Sequence, residues 1–391
     1  MNSETQYNLG SVYFNLALNK GAFEDSHEKK DAVKRISDII LPQLNNNQTK
    51  CVSETTPFVK QKVVDLTFDQ KKDSENQTQV SFLENGFNLP SEILSSIEEY
   101  KLDMEFTADQ CLLKAIEFWT ESANQRNAVA QYLLGICYFV GLGVEKNISK
   151  AMELWTESAN EGNLFASYAL GVGYFYGEGV EKNIGKAIKL WTISANQGHG
   201  DAQYRLGNCY YRGQGVEKNI SKAIKFWTES ANKGSPRSQF LLGLSYYNGE
   251  GVEENIKMAI KLWTESANQG HPLAQHNLGD CYYKGKGIEE NISMAIKLWT
   301  ESVNKGDQHG QFRLGVCYYK GEGVEKNIRK AIELWTKSAN QGNAGAQLRL
   351  GDCYYRGEGV EENIGKAIEL WELSANQGNA DAQFRLGDCY Y

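Results

Sequence analysis

Histidine and proline are scarce in this chain, five of each in 391 residues. No His-Glu-x-x-His and no Cys-x-x-Cys occurs, so neither the helical zinc site of a metalloprotease nor a paired-thiol redox or zinc motif is written here. Gly-x-Gly turns are frequent, but none leads into Gly-Lys-Ser/Thr and no strand pattern precedes them, which speaks for turn geometry over phosphate binding. No stretch approaches the 18 or so apolar residues of a membrane span. The first residues, MNSETQYNLGSVYF, show no basic start followed by an apolar core, so no signal peptide is expected. The formal charge is −8 and the pI about 5.4, a balance that disfavours general binding to nucleic acid or an anionic membrane.

What the chain has in abundance is periodicity. All eight tryptophans fall 36 residues apart, from Trp119 through Trp155, Trp191 and Trp227 to Trp371. Glycines keep the same step from Gly135 to Gly387. A fixed period of this length marks a solenoid. With positions counted from each tryptophan, Ile220, Ala223, Ile224, Trp227 and Ala231 lie 3, 4 or 7 apart and share one helical face. This helix B is expected to start at a repeated Asn such as Asn219, whose side chain can accept from free backbone N–H groups. It is expected to stop at a glycine such as Gly234. Helix A runs from about +9 to +21, with Ala202, Leu206 and Tyr210 on one side. Pro236 and Pro272 occupy the same repeat position, just after Ser235 and His271, where proline at the first helical position loses no hydrogen bond. Each unit therefore reads as an antiparallel helix pair that cannot close its own core but can stack on its neighbours. One tryptophan buries about 150–250 Å², roughly 4–6 kcal/mol as an upper bound.

The pattern A-x-Y-x-L-G-x-x-Y-x-x-G-x-G-V-x-x-N-x-x-K-A-x-x-x-W-x-x-S-A-x-x-G resembles the Sel1-like repeat, a relative of the tetratricopeptide repeat, over residues 109–391. Seven full pairs are expected, flanked by a leading helix B around Trp119 and a trailing helix A around Gly387. The resemblance implies an all-α fold, a right-handed superhelical solenoid of antiparallel helix pairs with helix A on the concave face. It also implies an adaptor that assembles other proteins, as members do in endoplasmic-reticulum degradation, in signalling and in bacterial contact with host cells.

Outside the array the sequence is less regular. Gln6, Tyr7, Leu9, Gly10, Tyr13 and Phe14 repeat helix A in type and spacing, so residues 1–15 read as a partial helix A. Gly10 is 125 residues before Gly135, which is not a multiple of 36, so an array that starts at Met1 and is interrupted is an open reading. Residues 16–108 form an atypical region: Ala32 to Leu44 reads as a relic of helix B, 45–79 as a loop or disordered stretch, and 91–103 as a capping helix with Ile93, Leu94, Ile97 and Tyr100 on one side. At the other end the sequence stops at Tyr390 and Tyr391, inside a helix A. A fragment, a last helix that covers the stack unaided, and contact with another molecule are all open readings.

Candidate chemistry is thin. Six of eight cysteines share position +18: Cys137, Cys209, Cys281, Cys317, Cys353 and Cys389. Equivalent helices in adjacent units should lie about 8–10 Å apart or more, beyond the roughly 7 Å Cα limit of a disulfide. Gly173 and Ser245 fill the same slot elsewhere, so a small buried residue is the better reading. Some cysteine-rich relatives pair two cysteines in each unit and have been credited with β-lactamase activity; this chain lacks the second cysteine. Ser-x-x-Lys occurs at Ser26, Ser230 and Ser302 without a Lys-Thr-Gly partner. His199 and His271 share an N-cap slot, and three of the Asn-x-Ser/Thr sequons, at Asn147, Asn219 and Asn291, coincide with the helix B cap. Free thiols suit a reducing compartment. A cytoplasmic protein without cofactor or metal, making no nucleic-acid contact and no membrane insertion, is expected.

The positions that relatives use for ligands are +10, +13, +14, +17 and +21 of helix A, and here they vary. They supply Tyr204, Arg205, Asn208 and Arg212; Phe240; His276, Asp280 and Lys284; Phe312, Arg313 and Lys320; and Arg349, Asp352 and Arg356. Aromatic and arginine side chains are what binding hot spots favour, and an aromatic groove with basic donors would hold an extended or acidic segment of another protein. The plainer reading is a set of ordinary i,i+3 and i,i+4 salt pairs: Arg349–Asp352, Arg385–Asp388, Asp280–Lys284 and Asp352–Arg356. The expected function is a non-catalytic protein-binding scaffold. Its rivals are a β-lactamase-like hydrolase, an adaptor in endoplasmic-reticulum degradation, and a rod that self-associates end to end.

Overall fold

The structure, a computed structural model, describes residues 2–19, 33, 34, 36, 37 and 107–390. The expected loop at 45–79, the capping helix at 91–103 and Ser26 lie outside the described residues, as does most of Ala32–Leu44. Contacts divide the chain into two compact units, 1–197 and 198–391. Seventeen helices and no strand occur among the described residues. In the first unit they are α1 (Ser3–Asn19), α2 (Ala108–Asn124), α3 (Ala128–Val140), α4 (Ile148–Asn160), α5 (Leu164–Tyr176) and α6 (Ile184–Asn196). In the second they are α7 (Gly200–Arg212), α8 (Ile220–Asn232), α9 (Pro236–Asn248), α10 (Ile256–Asn268), α11 (Pro272–Lys284), α12 (Ile292–Val303), α13 (Gln308–Lys320), α14 (Ile328–Asn340), α15 (Ala344–Arg356), α16 (Ile364–Ala375) and α17 (Ala380–Tyr390).

The helix ends follow from their residues. The Asn219 side chain accepts from Lys222 N at 2.9 Å, satisfying one of the orphan donors of the first turn of α8. Pro236 takes the first position of α9 behind Ser235. After helix A, Gly213 closes α7 in the left-handed conformation, φ +67°, which a Cβ would make costly. The all-α solenoid of paired helices is thus set by caps at the ends and by apolar stripes along the length.

Between the helices of a pair sits the tryptophan. All eight are between 0 and 5 % exposed. A Cβ added at the ladder glycine of the facing helix A, at Gly207 for example, would come under 3.0 Å from the indole of Trp227. Glycine and tryptophan are therefore one packing element: the ring occupies the space that the missing side chain vacates. The tyrosine at +20 lies over the indole that follows it, Tyr211 on Trp227 at 5.3 Å and Tyr247 on Trp263 at 5.1 Å between ring centres. Alanines such as Ala223 and Ala259 are wholly buried, where helices must approach closely. Serine at +3 ties the pair at one end: Ser230 Oγ donates to Gly200 O at 2.8 Å and Ser266 Oγ to Pro236 O at 2.6 Å.

The first helix pair is assembled from two remote parts of the chain. Helices α1 and α2 pack on each other, and 88 residues lie between Asn19 and Ala108. Gly10 faces Trp119 as the ladder glycines face theirs. Phe14 stands 5.3 Å from the Trp119 ring, the same separation as Phe139 from Trp155. Ser122 Oγ donates to Ser3 O at 2.6 Å, as Ser158 Oγ does to Ala128 O at 2.5 Å. Gln6 donates to Glu121, and Gln131 to Glu157 at 2.9 Å. Helix α2 is therefore not an unaccompanied leading helix B; α1 is its partner. Val33 and Ile36 are buried in the same cluster.

Candidate functional site

The helix A positions singled out above all fall in the second unit, on α7, α9, α11, α13 and α15. At +13 the side chain reaches toward the next helix A. Phe240 is buried and stacks on His271 at 4.8 Å; Phe312 is half-buried against Gly345; Tyr204 lies 6.0 Å from the Arg237 guanidinium; Leu348 is buried. From α7 to α15 the +13 row is thus largely a packing element between successive helices A, whereas Phe384 of α17 is 65 % exposed. The backbone carbonyl at +13 also has work within the fold: Phe240 O accepts from Trp263 Nε1 at 3.2 Å and Phe312 O from Trp335 Nε1 at 3.3 Å. Asn208 is committed inward as well, its Oδ1 accepting from Trp227 Nε1 at 3.2 Å.

The charged positions fall into two groups. Arg313 makes a two-pronged bond to Asp280, Nε to Oδ1 at 3.0 Å and Nη2 to Oδ2 at 2.6 Å, across 33 residues. Arg385 reaches Asp352 at 3.2 Å over the same interval. In both cases a +14 arginine grips the +17 aspartate of the preceding repeat. Sequence spacing alone pairs Arg385 with Asp388 and Asp352 with Arg356; the structure replaces both pairs, because the neighbouring helix A brings a partner closer than the same helix does. Two local pairs do form, Lys284–Asp280 at 3.6 Å and Arg349–Asp352 at 3.7 Å. Arg205 is half-buried, and Lys320 reaches Glu322 at 3.8 Å. Arg212 and Arg356 are exposed, and neither has an ion-pair partner among the described residues.

One junction departs from the rest. His276 takes the +13 place in α11 and lies 4.0 Å from both Asp280 and Asp307. Its ring is 5.4 Å from that of His309, and its Nδ1 is buried without a hydrogen-bond partner. Asp307 caps α13, accepting from Gly310 N at 2.8 Å and from Ser302 Oγ at 2.7 Å. Burial holds the His276 imidazole below its ordinary range, against the pull of Asp280 and Asp307, with His309 and Arg313 adding to the lowering. Spacing along α11 shows only the His276–Asp280 step of four; Asp307, His309 and Arg313 come from the next turn and helix A.

Nucleophilic chemistry finds no footing at the repeated motifs. Ser230 and Ser302 are wholly buried, with their hydroxyls spent on Gly200 O, Pro272 O and Asp307. Lys233 and Lys305 bond to the carbonyls of Gly198 and Gly270. The thiols of Cys209, Cys281, Cys317 and Cys353 are pushed up to about 11 by burial, so the reactive thiolate is disfavoured there. His199 and His271 accept at Nδ1 from Ala202 N and Ala274 N, as helix caps. Among the described residues no group of three or more His, Cys, Asp or Glu side chains is placed to hold a metal ion. No helix among them is long and apolar enough to cross a membrane.

Comparison with known proteins gives the family. A search of curated proteins found no match. Among solved structures, c5321, a protective antigen of uropathogenic Escherichia coli strains with an SLR fold, is 32 % identical, with a TM-score of 0.64 over 78 % of this chain and 68 % of its own. A Sel1 repeat protein from Oxalobacter formigenes is 24 % identical, with a TM-score of 0.55 over 83 % of this chain and 98 % of its own, a likeness of fold. The Sel1 repeat model matches eight successive segments, seven of them whole, from 128–163 to 344–379, and then 380–391. With helix pairs, glycine–tryptophan contacts and repeat matches in agreement, this chain belongs to the Sel1 repeat family.

Proposed function

We propose that this chain is a protein-interaction scaffold without catalysis of its own, and that partner segments dock on the helix A face of residues 198–391. One observation carries the reading. From repeat to repeat the interior positions hardly change, whereas +13, +14, +17 and +21 change together on one side of helix A. Interior uniformity is what stacking requires; aromatic and arginine side chains that vary along one side of helix A are what recognition favours. By family resemblance this face is the concave one, where many modest contacts along an extended segment add. The free, buried thiols of Cys137, Cys209, Cys281, Cys317 and Cys353 suit a reducing compartment, and we place the protein in the cytoplasm.

Panning a displayed peptide library against the full chain tests this. Enriched peptides should bind wild-type protein and lose at least about tenfold in affinity to Phe312→Ala combined with Arg349→Ala. Enriched peptides whose binding ignores both changes would move the site off this face. Failure to enrich any peptide would remove the reading.

A further inference from the structure

The two groups of arginines point to what the face accepts. Positions +14, +17 and +21 of α7, α9, α11, α13, α15 and α17 carry eight basic and three acidic residues, a local excess of positive charge in a chain of net charge −8. The same positions of α3 and α5 carry none: Leu133, Ile136 and Val140, then Ala169, Val172 and Tyr176. Helices α3 and α5 nevertheless end in the same left-handed glycines, Gly141 and Gly177. A basic residue at the last turn eases the helix dipole, but the fold does not need one there, since Val140 and Tyr176 end their helices without it. The positive charge at +21 of the second unit is therefore surplus to folding.

The positive charge of the face is not equally available. Arg313 and Arg385 are held by aspartates of the preceding repeat. Arg349 has no such aspartate, because Val316 stands where Asp280 stands one repeat earlier. Its side chain is 53 % exposed, against 31 % for Arg313, and its pair with Asp352 is the longer of the two that share that carboxylate. Arg212 and Arg356 complete the outward set.

We infer that the docked segment is an acidic, extended stretch of protein, that Arg212, Arg349 and Arg356 hold its carboxylates, and that Arg313 and Arg385 are struts between repeats that do not contact it. This rests on the docking face proposed above. The strut aspartates interrupt the positive row, which fits side chains spaced along a peptide better than the unbroken phosphates of a nucleic acid.

The test uses the full chain and a fluorescein-labelled twelve-residue peptide alternating glutamate with phenylalanine, its C-terminus amidated so that only side-chain carboxylates are read. A glutamine counterpart and a single-stranded DNA 20-mer serve as the other arms. Fluorescence anisotropy should show the glutamate peptide binding at least about tenfold tighter than its counterpart, with the preference shrinking as salt is raised. Arg349→Glu with Arg356→Glu should lose at least about tenfold while keeping the wild-type circular dichroism and Tm. Asp280→Asn with Arg313→Gln should leave affinity within about twofold and lower the Tm. Equal binding of the two peptides, tighter binding of the oligonucleotide, or an unchanged affinity in the first double variant each overturns the inference. Library peptides that are neutral yet lost with Phe312→Ala would leave the docking face standing without its acidic occupant. No peptide on this face at all would remove both.

Discussion

The first helix pair and the pair after it are built to one plan from differently connected chain. Seven residues join Val140 to Ile148 in the second pair; 88 lie between Asn19 and Ala108 in the first. Both seat an indole against a ladder glycine, lay an aromatic ring over it, and tie the end with a serine hydroxyl. Helix α2 also carries its own start signal, a reciprocal bond between Thr107 and Gln110, where every continuous helix B uses a single asparagine. A repeat is therefore defined by its contact set and not by chain continuity. Loop closure explains the tolerance, because its entropy grows only with the logarithm of loop length. The pairs also differ at the indole nitrogen. Tyr132 O accepts from Trp155 Nε1 at 3.1 Å, whereas Tyr7 O accepts from Ser11 Oγ at 2.9 Å and Trp119 Nε1 is buried without a partner.

That comparison can be broken most forcefully at the indole. Trp119→Ala and Trp155→Ala should each cost about 3–5 kcal/mol, measured by denaturant unfolding; a much smaller loss at Trp119 would show that the split pair is only loosely formed. Next in size, Ile36→Ala should cost the first unit about 2–4 kcal/mol, because this wholly buried side chain belongs to the core that the split pair shares. A loss below about 1 kcal/mol would mean that the chain between α1 and α2 adds little to the pair. Finer still, Trp155→Phe should cost about 1 kcal/mol more than Trp119→Phe, because only the former gives up a hydrogen bond; equal costs would refute the difference just drawn. The smallest effect belongs to the continuous pairs. His276, facing Asp280, Asp307, His309 and Arg313, with Lys284 beside Asp280, is the one histidine at +13. Its folded pKa is lowered by burial, so its contribution is present above the ordinary histidine range and is lost as pH falls through it. His276→Phe, which restores the residue type of Phe240 and Phe312, should flatten the fall of Tm between about pH 7 and pH 5. An unchanged slope would assign that acid sensitivity to other groups.

Much of this was legible in the chain. A period of 36 residues with Trp, Gly, Ala and Asn at fixed places encodes the pairs, the caps and the interior, because each of those residues does one local job in every copy. Residues 5–15 were legible as a helix A, but their partner was not: the 88 residues break the register that makes the rest readable, so Trp119 looked like the start of a helix without a mate. Charge pairing was the least legible. Spacing along one helix proposes Arg385 with Asp388, whereas the stack sets Arg385 beside Asp352. A cross-repeat interval of 33 residues becomes visible only once successive helices A are known to lie side by side. Most of the His276 cluster was hidden for the same reason.

Fold and site both rest on the claim that each helix A is closed by the tryptophan of its own helix B, however far apart the two lie in sequence. Hydrogen–deuterium exchange on the full chain, wild type against Trp119→Ala, tests it most directly. The account predicts that residues 3–19 and 108–124 lose protection together while 164–196 stay close to wild type. Faster exchange confined to 108–124, with 3–19 unaffected, would contradict it.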